Sequence, residues 1–186
     1  MISWTVSSAG FASASSQIFP FAAVAMKFAS TFSTPLGPLS AAWTQRGLWS
    51  LAWAESDSDA AASSPEVSAS DDRAQRLQQR LETYFQTGRA DFGSIEVDAA
   101  GWTPFQTQVY RECRKIPCGQ TLTYKDLASR AGRAAASRAV GAAMARNRLL
   151  IVIPCHRVIS VGGKLRGFSA PGGLTTKRFL LDLEAS

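Results

Sequence analysis

Two helix starts, twenty residues apart, constrain the fold of this chain more than any other feature. At Thr103-Pro104-Phe105-Gln106 a threonine stands as N-cap and proline takes the first helical position, where its missing N–H is no loss. Gln106 falls at the third position, where its side chain can return a hydrogen bond to the cap. Thr123-Tyr124-Lys125-Asp126 repeats the arrangement with an aspartate in that place. The first helix is expected to run to about Lys115 and stop before Pro117-Cys118-Gly119, and the second to end at Gly132. A short turn then leads into ASRAVGAAMARN, rich in small residues and basic at Arg138 and Arg146. Two helices joined by a tight turn, the second slim and cationic, form a helix-turn-helix candidate. After it, LLIVIP reads as an apolar extended run, VISVGGKLRGF as a turn or wing around Gly162-Gly163, and LTTKRFLLDLE as a closing helix that ends near Glu184.

The first hundred residues read differently. LSAAWTQRGLWSLAW (39–53) has two apolar-rich strands about a turn at Arg46-Gly47. DDRAQRLQQRLETYFQ (71–86) is an amphipathic helix, with Leu77, Leu81, Tyr84 and Phe85 at helical spacing and Asp71-Asp72 at the positive end of its dipole. FGSIEVD is a candidate short strand. Between hairpin and helix, residues 55–70 are acidic and Ser-rich, the composition of a mobile loop. Residues 1–29 carry one basic residue, Lys27, and lack the positively charged start of a secretory signal. They are expected to be a weakly ordered extension, or translation starts at Met26. The fold class is therefore α/β (α+β): a small N-terminal sheet-plus-helix domain over 30–100, then a mostly helical, winged-helix-like C-terminal domain over 101–186.

Charge divides at the same place. Through residue 100 there are 6 Lys+Arg against 10 Asp+Glu, and from 101 onward 14 against 4, so a net −4 adjoins a net +10 within the overall +6. A strongly basic half points to a polyanion partner for that half, nucleic acid above all, although a solvated basic face without a partner has the same composition. No apolar run reaches the roughly 18 residues of a membrane span. Three cysteines (Cys113, Cys118, Cys155) are too few and odd in number for a disulfide framework and fit a reducing, intracellular setting. They include no C-x-x-C pair, which argues against structural zinc.

The chemistry concentrates in IPCHRVI (153–159), which sets Cys155 beside His156, the only histidine of the chain. A thiol next to an imidazole can be a nucleophile with its base, a metal-site fragment or an accident of packing. A free thiol is mostly protonated at neutral pH and needs a base or a lowered pKa to attack. Neighbouring side chains of an extended segment point apart, so direct contact requires a turn or a bridging water. The histidine in turn needs a carboxylate to set its tautomer. Glu112, Asp126, Asp182 and Glu184 are the acids of this half, and composition does not choose among them.

IPCHRVI resembles the active-site segment of the O6-alkylguanine-DNA alkyltransferases, the methylated-DNA–protein-cysteine methyltransferase family. The likeness continues through the capped helix, Ile-Pro turn, Tyr-bearing helix and Arg-Ala-Val-Gly helix of residues 103–147 and through GGLTTKRFLLDLE. It is strong over 101–186, weaker over 34–100 and absent over 1–29. The resemblance implies irreversible transfer of an alkyl group from guanine O6 to Cys155, once per molecule, with thymine O4 as a candidate second substrate. It implies that His156 activates Cys155 through a water, that Glu184 holds His156, and that Asn147 braces the active-site turn. Tyr124 would meet the guanine ring and assist the leaving group, Arg138 would enter the base stack, the Val158 carbonyl would read the guanine amine, and Ser169 would lie near the guanine oxygen. Lys125, Arg130, Arg133 and Arg146 are the candidate phosphate contacts. Ala134, Ala135, Ala136, Ala139, Gly141, Ala142 and Ala143 make a helix slim enough for the minor groove. The implied partner is double-stranded DNA carrying alkylated guanine, met by a monomer in the cytoplasm at the nucleoid, with no cofactor and no metal.

The chain departs from the family in three places. Arg148 follows Asn147 where proline is frequent, the GFSAPGG loop is about two residues longer than the family's shorter loops with Phe168 where tyrosine is common, and Cys118 belongs to no motif. Three rival classes make different predictions. A lesion-binding relative would lack the nucleophile, a helix-turn-helix regulator would need an effector domain, and a Cys–His hydrolase would turn over on esters or peptides and has no use for the slim basic helix.

Overall fold

A computed structural model of the chain describes residues 6–7, 28–53 and 71–186. The loop expected over 55–70 and most of the extension expected over 1–29 lie outside the described residues. Strands β1 (Val6–Ser7), β2 (Phe28–Phe32), β3 (Leu39–Thr44) and β4 (Gly47–Trp53) form an antiparallel sheet in that order. The hairpin expected over 39–53 is β3–β4, with Leu39 opposite Trp53, Ala41 opposite Leu51 and a bulge at Ala42/Trp43. Its turn falls at Gln45-Arg46, and Gly47 already belongs to β4. Gly47 sits at φ +140, and a Cβ there would run into the Glu96 carbonyl, because the 96–98 segment pairs with Leu48 at this edge. That pairing is an isolated bridge at Val97, so FGSIEVD does not form the short strand expected of it.

Helix α1 (Asp72–Thr87) starts at Asp71, whose carboxylate accepts from the Arg73 amide, and buries Ala74, Leu77, Leu81, Tyr84 and Phe85. It ends at Gly88 in the left-handed region (φ +67), where any Cβ would collide with the Leu183 carbonyl. The end of α1 therefore approaches the end of the last helix at backbone distance, which only glycine permits.

In the C-terminal half the two capping boxes form as expected. Helix α2 spans Pro104–Arg114 and α3 spans Tyr124–Arg130, each with reciprocal cap hydrogen bonds. Helix α4 (Ser137–Ala145) follows the turn at Gly132 and completes the helix-turn-helix. The Tyr110 hydroxyl ties α2 to α4 through the Ala143 carbonyl at 2.7 Å. A parallel pair, β5 (Leu122–Thr123) with β6 (Val158–Ile159), anchors the turn at 160–164, and α5 (Leu174–Glu184) closes the chain. One apolar cluster runs through sheet, α1 and the helical half. Among the described residues no helix is long and apolar enough to cross a membrane.

LLIVIP is not extended. It is a buried series of turns in which Ile151 adopts φ 68, a left-handed conformation that costs a β-branched residue about 1–2 kcal/mol. The turns are sewn to β4, with the Leu51 amide donating to the Arg148 carbonyl (2.7 Å) and the Leu150 amide to the Leu51 carbonyl (2.9 Å). Arg148 reinforces the seam. Its guanidinium lies 3.5 Å from the Trp49 ring centroid and donates to the carbonyls of Trp49, Asp98 and Ala100 at 2.7, 2.8 and 2.9 Å. Arg148 thus clamps the 147–155 segment onto the sheet. Arg148→Ala is expected to destabilise the protein by about 2–3 kcal/mol, through lost charge-assisted hydrogen bonds and ring stacking, measured as a lower urea midpoint.

Candidate active site

The turns of 149–154 deliver Cys155 into a single 3-10 turn, Cys155–Arg157, that is buried throughout. In this turn the side chains of Cys155 and His156 do not alternate as they would on a strand. Asn147, just past the end of α4, organises the approach. Its side-chain amide donates to the Ile153 carbonyl at 2.8 Å and to Cys155 Sγ at 3.2 Å, and its oxygen accepts from the Leu149 amide at 3.0 Å.

His156 has no exposed surface. Its Nε2 lies 2.8 Å from Glu184 Oε1, on the last turn of α5. Glu184 is the acid that composition alone left unchosen; Glu112 pairs with Lys115 and Asp126 caps α3 at Thr123. The Glu184 carboxylate also accepts from Arg157 (Nε to Oε2, 3.0 Å; Nη2 to Oε1, 2.9 Å), from the Tyr84 hydroxyl (2.7 Å) and from the Gly119 amide (3.1 Å). Burial pushes this carboxyl up, but the His156 and Arg157 hydrogen bonds and charges outweigh it and hold it at about 2. His156 moves the other way. Burial lowers its pKa, against the pull of Glu184, so the imidazole is neutral at physiological pH. With Nε2–H donated to the carboxylate, Nδ1 is the basic nitrogen; it is buried and has no hydrogen-bond partner among the described residues. The Cys155 thiol is pushed up by burial and drawn partly back by Asn147, Lys177 and the amides at the start of the turn. Both groups therefore rest uncharged, the thiol protonated and the imidazole neutral.

Cys155 lines an open cavity of about 790 Å³. Tyr124, at the first position of α3, and Arg138, exposed on α4, share its wall with Ser160, Phe168 and Ser169. Burial raises the Tyr124 phenol, which remains protonated. Val158 is buried beside the site, and its carbonyl accepts from Lys177 Nζ at 2.7 Å. Lys125, Arg130, Arg133 and Arg146 are exposed, Arg133 with its guanidinium 5.3 Å from the Phe105 ring. The slim helix is shorter than expected: Ala134 and Ala135 lie in the turn before α4 and Ala136 is its N-cap, while on the helix itself Ala139 and Ala142 are exposed and Ala143 is packed inside.

Three functional-looking residues went unassigned in the sequence. Arg157 stands in IPCHRVI, but its partner is 27 residues away. Lys177 lies two turns before Glu184 on one face of α5, a spacing that offered a signal, and is fully buried. Tyr84 reads as an ordinary core position of α1, and its hydroxyl partner is 100 residues distant.

Fold and site together set a buried thiol and a buried His–Glu pair next to a helix-turn-helix. Residues 104–186 match the model of the 6-O-methylguanine DNA methyltransferase DNA-binding domain, and residues 27–99 that family's ribonuclease-like domain. The chain belongs to the 6-O-methylguanine DNA methyltransferase family. It is 36% identical over 155 residues to the methylated-DNA–protein-cysteine methyltransferase of Methanosarcina acetivorans, covering 83% of this chain and 96% of that one. To the enzyme of that name from Salmonella typhimurium it is 46% identical over 105 residues, 56% of this chain, and the match spans 60% of the length of that relative. Among solved structures, Mycobacterium tuberculosis OGT in complex with DNA superposes with a TM-score of 0.70 at 35% identity, over 83% of this chain and 91% of that one. The O6-methylguanine-DNA methyltransferase of Pyrococcus kodakaraensis superposes with a TM-score of 0.58 at 26% identity, over 87% and 98%.

The depressed Glu184 carboxyl contributes stability that is present above its ordinary value of 4.5 and is lost as pH falls toward about 2. The contribution is on the order of 3 kcal/mol. Urea unfolding from pH 7 to 2 is expected to show wild type losing its advantage over Glu184→Gln across this window.

Proposed function

We propose that the chain is a direct-reversal DNA repair protein, which moves a methyl or larger alkyl group from O6 of guanine, and from O4 of thymine, in double-stranded DNA to Cys155. The observation that carries the reading is the placement of a thiol, braced by Asn147 and backed by a neutral His156–Glu184 pair, on the wall of a cavity that opens beside the helix-turn-helix. Residues 101–186 hold the chemistry and the DNA contacts, and 30–100 support them.

The lesion lies inside a duplex, so the base must be extruded into the cavity. Helix α4 presents its exposed alanines to the minor groove, Arg138 fills the gap left in the stack, and Lys125, Arg130, Arg133 and Arg146 hold phosphates. The Val158 carbonyl has a second lone pair beyond the one taken by Lys177, and it receives the guanine exocyclic amine. His156 Nδ1 takes the Cys155 proton through a bridging water. Sulfur then attacks the alkyl carbon, the carbon–oxygen bond breaks with its electron pair going to the guanine, and the Tyr124 hydroxyl, with Ser169 near the oxygen, supplies a proton to the leaving base. The product is a thioether, which no group of the site can hydrolyse, so each molecule acts once. The protein works as a monomer on chromosomal DNA, at the nucleoid in the cytoplasm.

Intact-mass analysis after mixing with duplex DNA that carries O6-methylguanine is expected to show a gain of one methylene at Cys155, one per protein, with guanine restored in the DNA. Cys155→Ala is expected to bind the DNA and gain nothing. A protein that releases product and turns over repeatedly would contradict the reading.

A further inference from the structure

Glu184 collects its hydrogen bonds from three separate places in the chain, and one of them lies outside the helical half. The Tyr84 hydroxyl, on α1, donates to Glu184 Oε1 at 2.7 Å and sits 3.4 Å from His156 Nε2. Tyr84 has no exposed surface, and burial and the adjacent carboxylate raise its phenol far above the ordinary value, so it stays a protonated donor at every working pH. Its ring is wedged edge-on between Phe85 and Phe92, at centroid distances of 5.3 and 5.8 Å, which aims the hydroxyl. The aromatic position at the end of α1 is therefore more than core filling. A phenylalanine would serve the packing, whereas a tyrosine also brings a donor to the carboxylate that holds the base.

We propose that Tyr84 is a positioning residue for the transfer reaction, through which the N-terminal part of the chain sets the protonation state of His156. The inference rests on the alkyl-transfer reading above. An unshared Glu184 carboxylate would stabilise imidazolium and convert His156 from a base into a spent acid. Each further donor to Glu184 draws charge away from Nε2 and keeps the imidazole neutral. The groups that face His156 and Glu184 are Arg157 in the turn, Lys177 on α5, the Gly119 amide before β5 and Tyr84 on α1. Arg157 and Lys177 act in the same direction as Tyr84, and of the set only Tyr84 can lose its polar atom with the carbon frame intact.

The test is the pH profile of single-turnover methyl transfer to Cys155 in the full chain, wild type against Tyr84→Phe. The acid limb of Tyr84→Phe is expected to move up by about one pH unit, a tenfold loss of rate on that limb, while its alkaline plateau converges on that of wild type. A merely structural role predicts a rate reduced by one factor at every pH, or unchanged, and either result overturns the proposal. Should Tyr84→Phe fail to fold, difluorotyrosine installed at position 84 keeps the shape and strengthens the donor, and its acid limb is expected to move down; an unmoved limb overturns the proposal. Absence of transfer by wild type would instead contradict the alkyl-transfer reading itself.

Discussion

The buried carboxylate of Glu184 is the interaction on which the site depends. A carboxylate with 2% of its surface exposed is costly, by several kcal/mol when unpaired, and this one persists because donors converge on it from α1, the turn at Gly119 and the Cys155–Arg157 turn. Each donor does a second thing. His156 becomes a base with a fixed tautomer, Arg157 links the turn to the Ile116 carbonyl at the end of α2, and Tyr84 brings the sheet-and-helix half into the network. Remove the charge and these donors lose their common partner, while the apolar cluster still joins the elements that carry them.

The second constraint is mechanical. In the proposed reaction, a nucleophile on the wall of an open cavity must not drift when a bulky base enters. The 147–155 segment is held by Asn147 from within, by β4 along its edge and by the Arg148 stack on Trp49 from outside. The left-handed Ile151 shows that these restraints outweigh a local conformational cost. Preorganisation of this kind suits the proposed single alkyl transfer, since displacement at carbon depends on the line of approach more than on stabilising an oxyanion.

Much of this was legible in the sequence where the signal is local. Capping boxes are read from four adjacent residues, and both helices formed where Thr103 and Thr123 placed them. The β3–β4 hairpin followed from its strand pattern, and α1 from its 3.6-residue spacing. The Cys155–His156 pair was visible as a pair, but its geometry was not. An apolar run such as LLIVIP is equally consistent with a strand and with buried turns, because periodicity is silent when every position is apolar. Long-range polar contacts were out of reach for a similar reason. Tyr84 and Arg157 carry no local mark of their partner, and the choice of Glu184 among four acids came from family resemblance and not from spacing. Arg148 registered only as a departure from a frequent proline; its use became visible once Trp49 and the 98–100 carbonyls were seen around it.

Because His156 is the only histidine of the chain, its protonation state can be read directly. We would label the histidine with 15N and follow both ring nitrogens by NMR across pH 5 to 8. The account predicts a neutral ring through the physiological range, protonated at Nε2 and bare at Nδ1, titrating only below the ordinary 6.5. An imidazolium at neutral pH, or a proton resident on Nδ1, would contradict the claim that the Glu184 network holds a ready base behind Cys155.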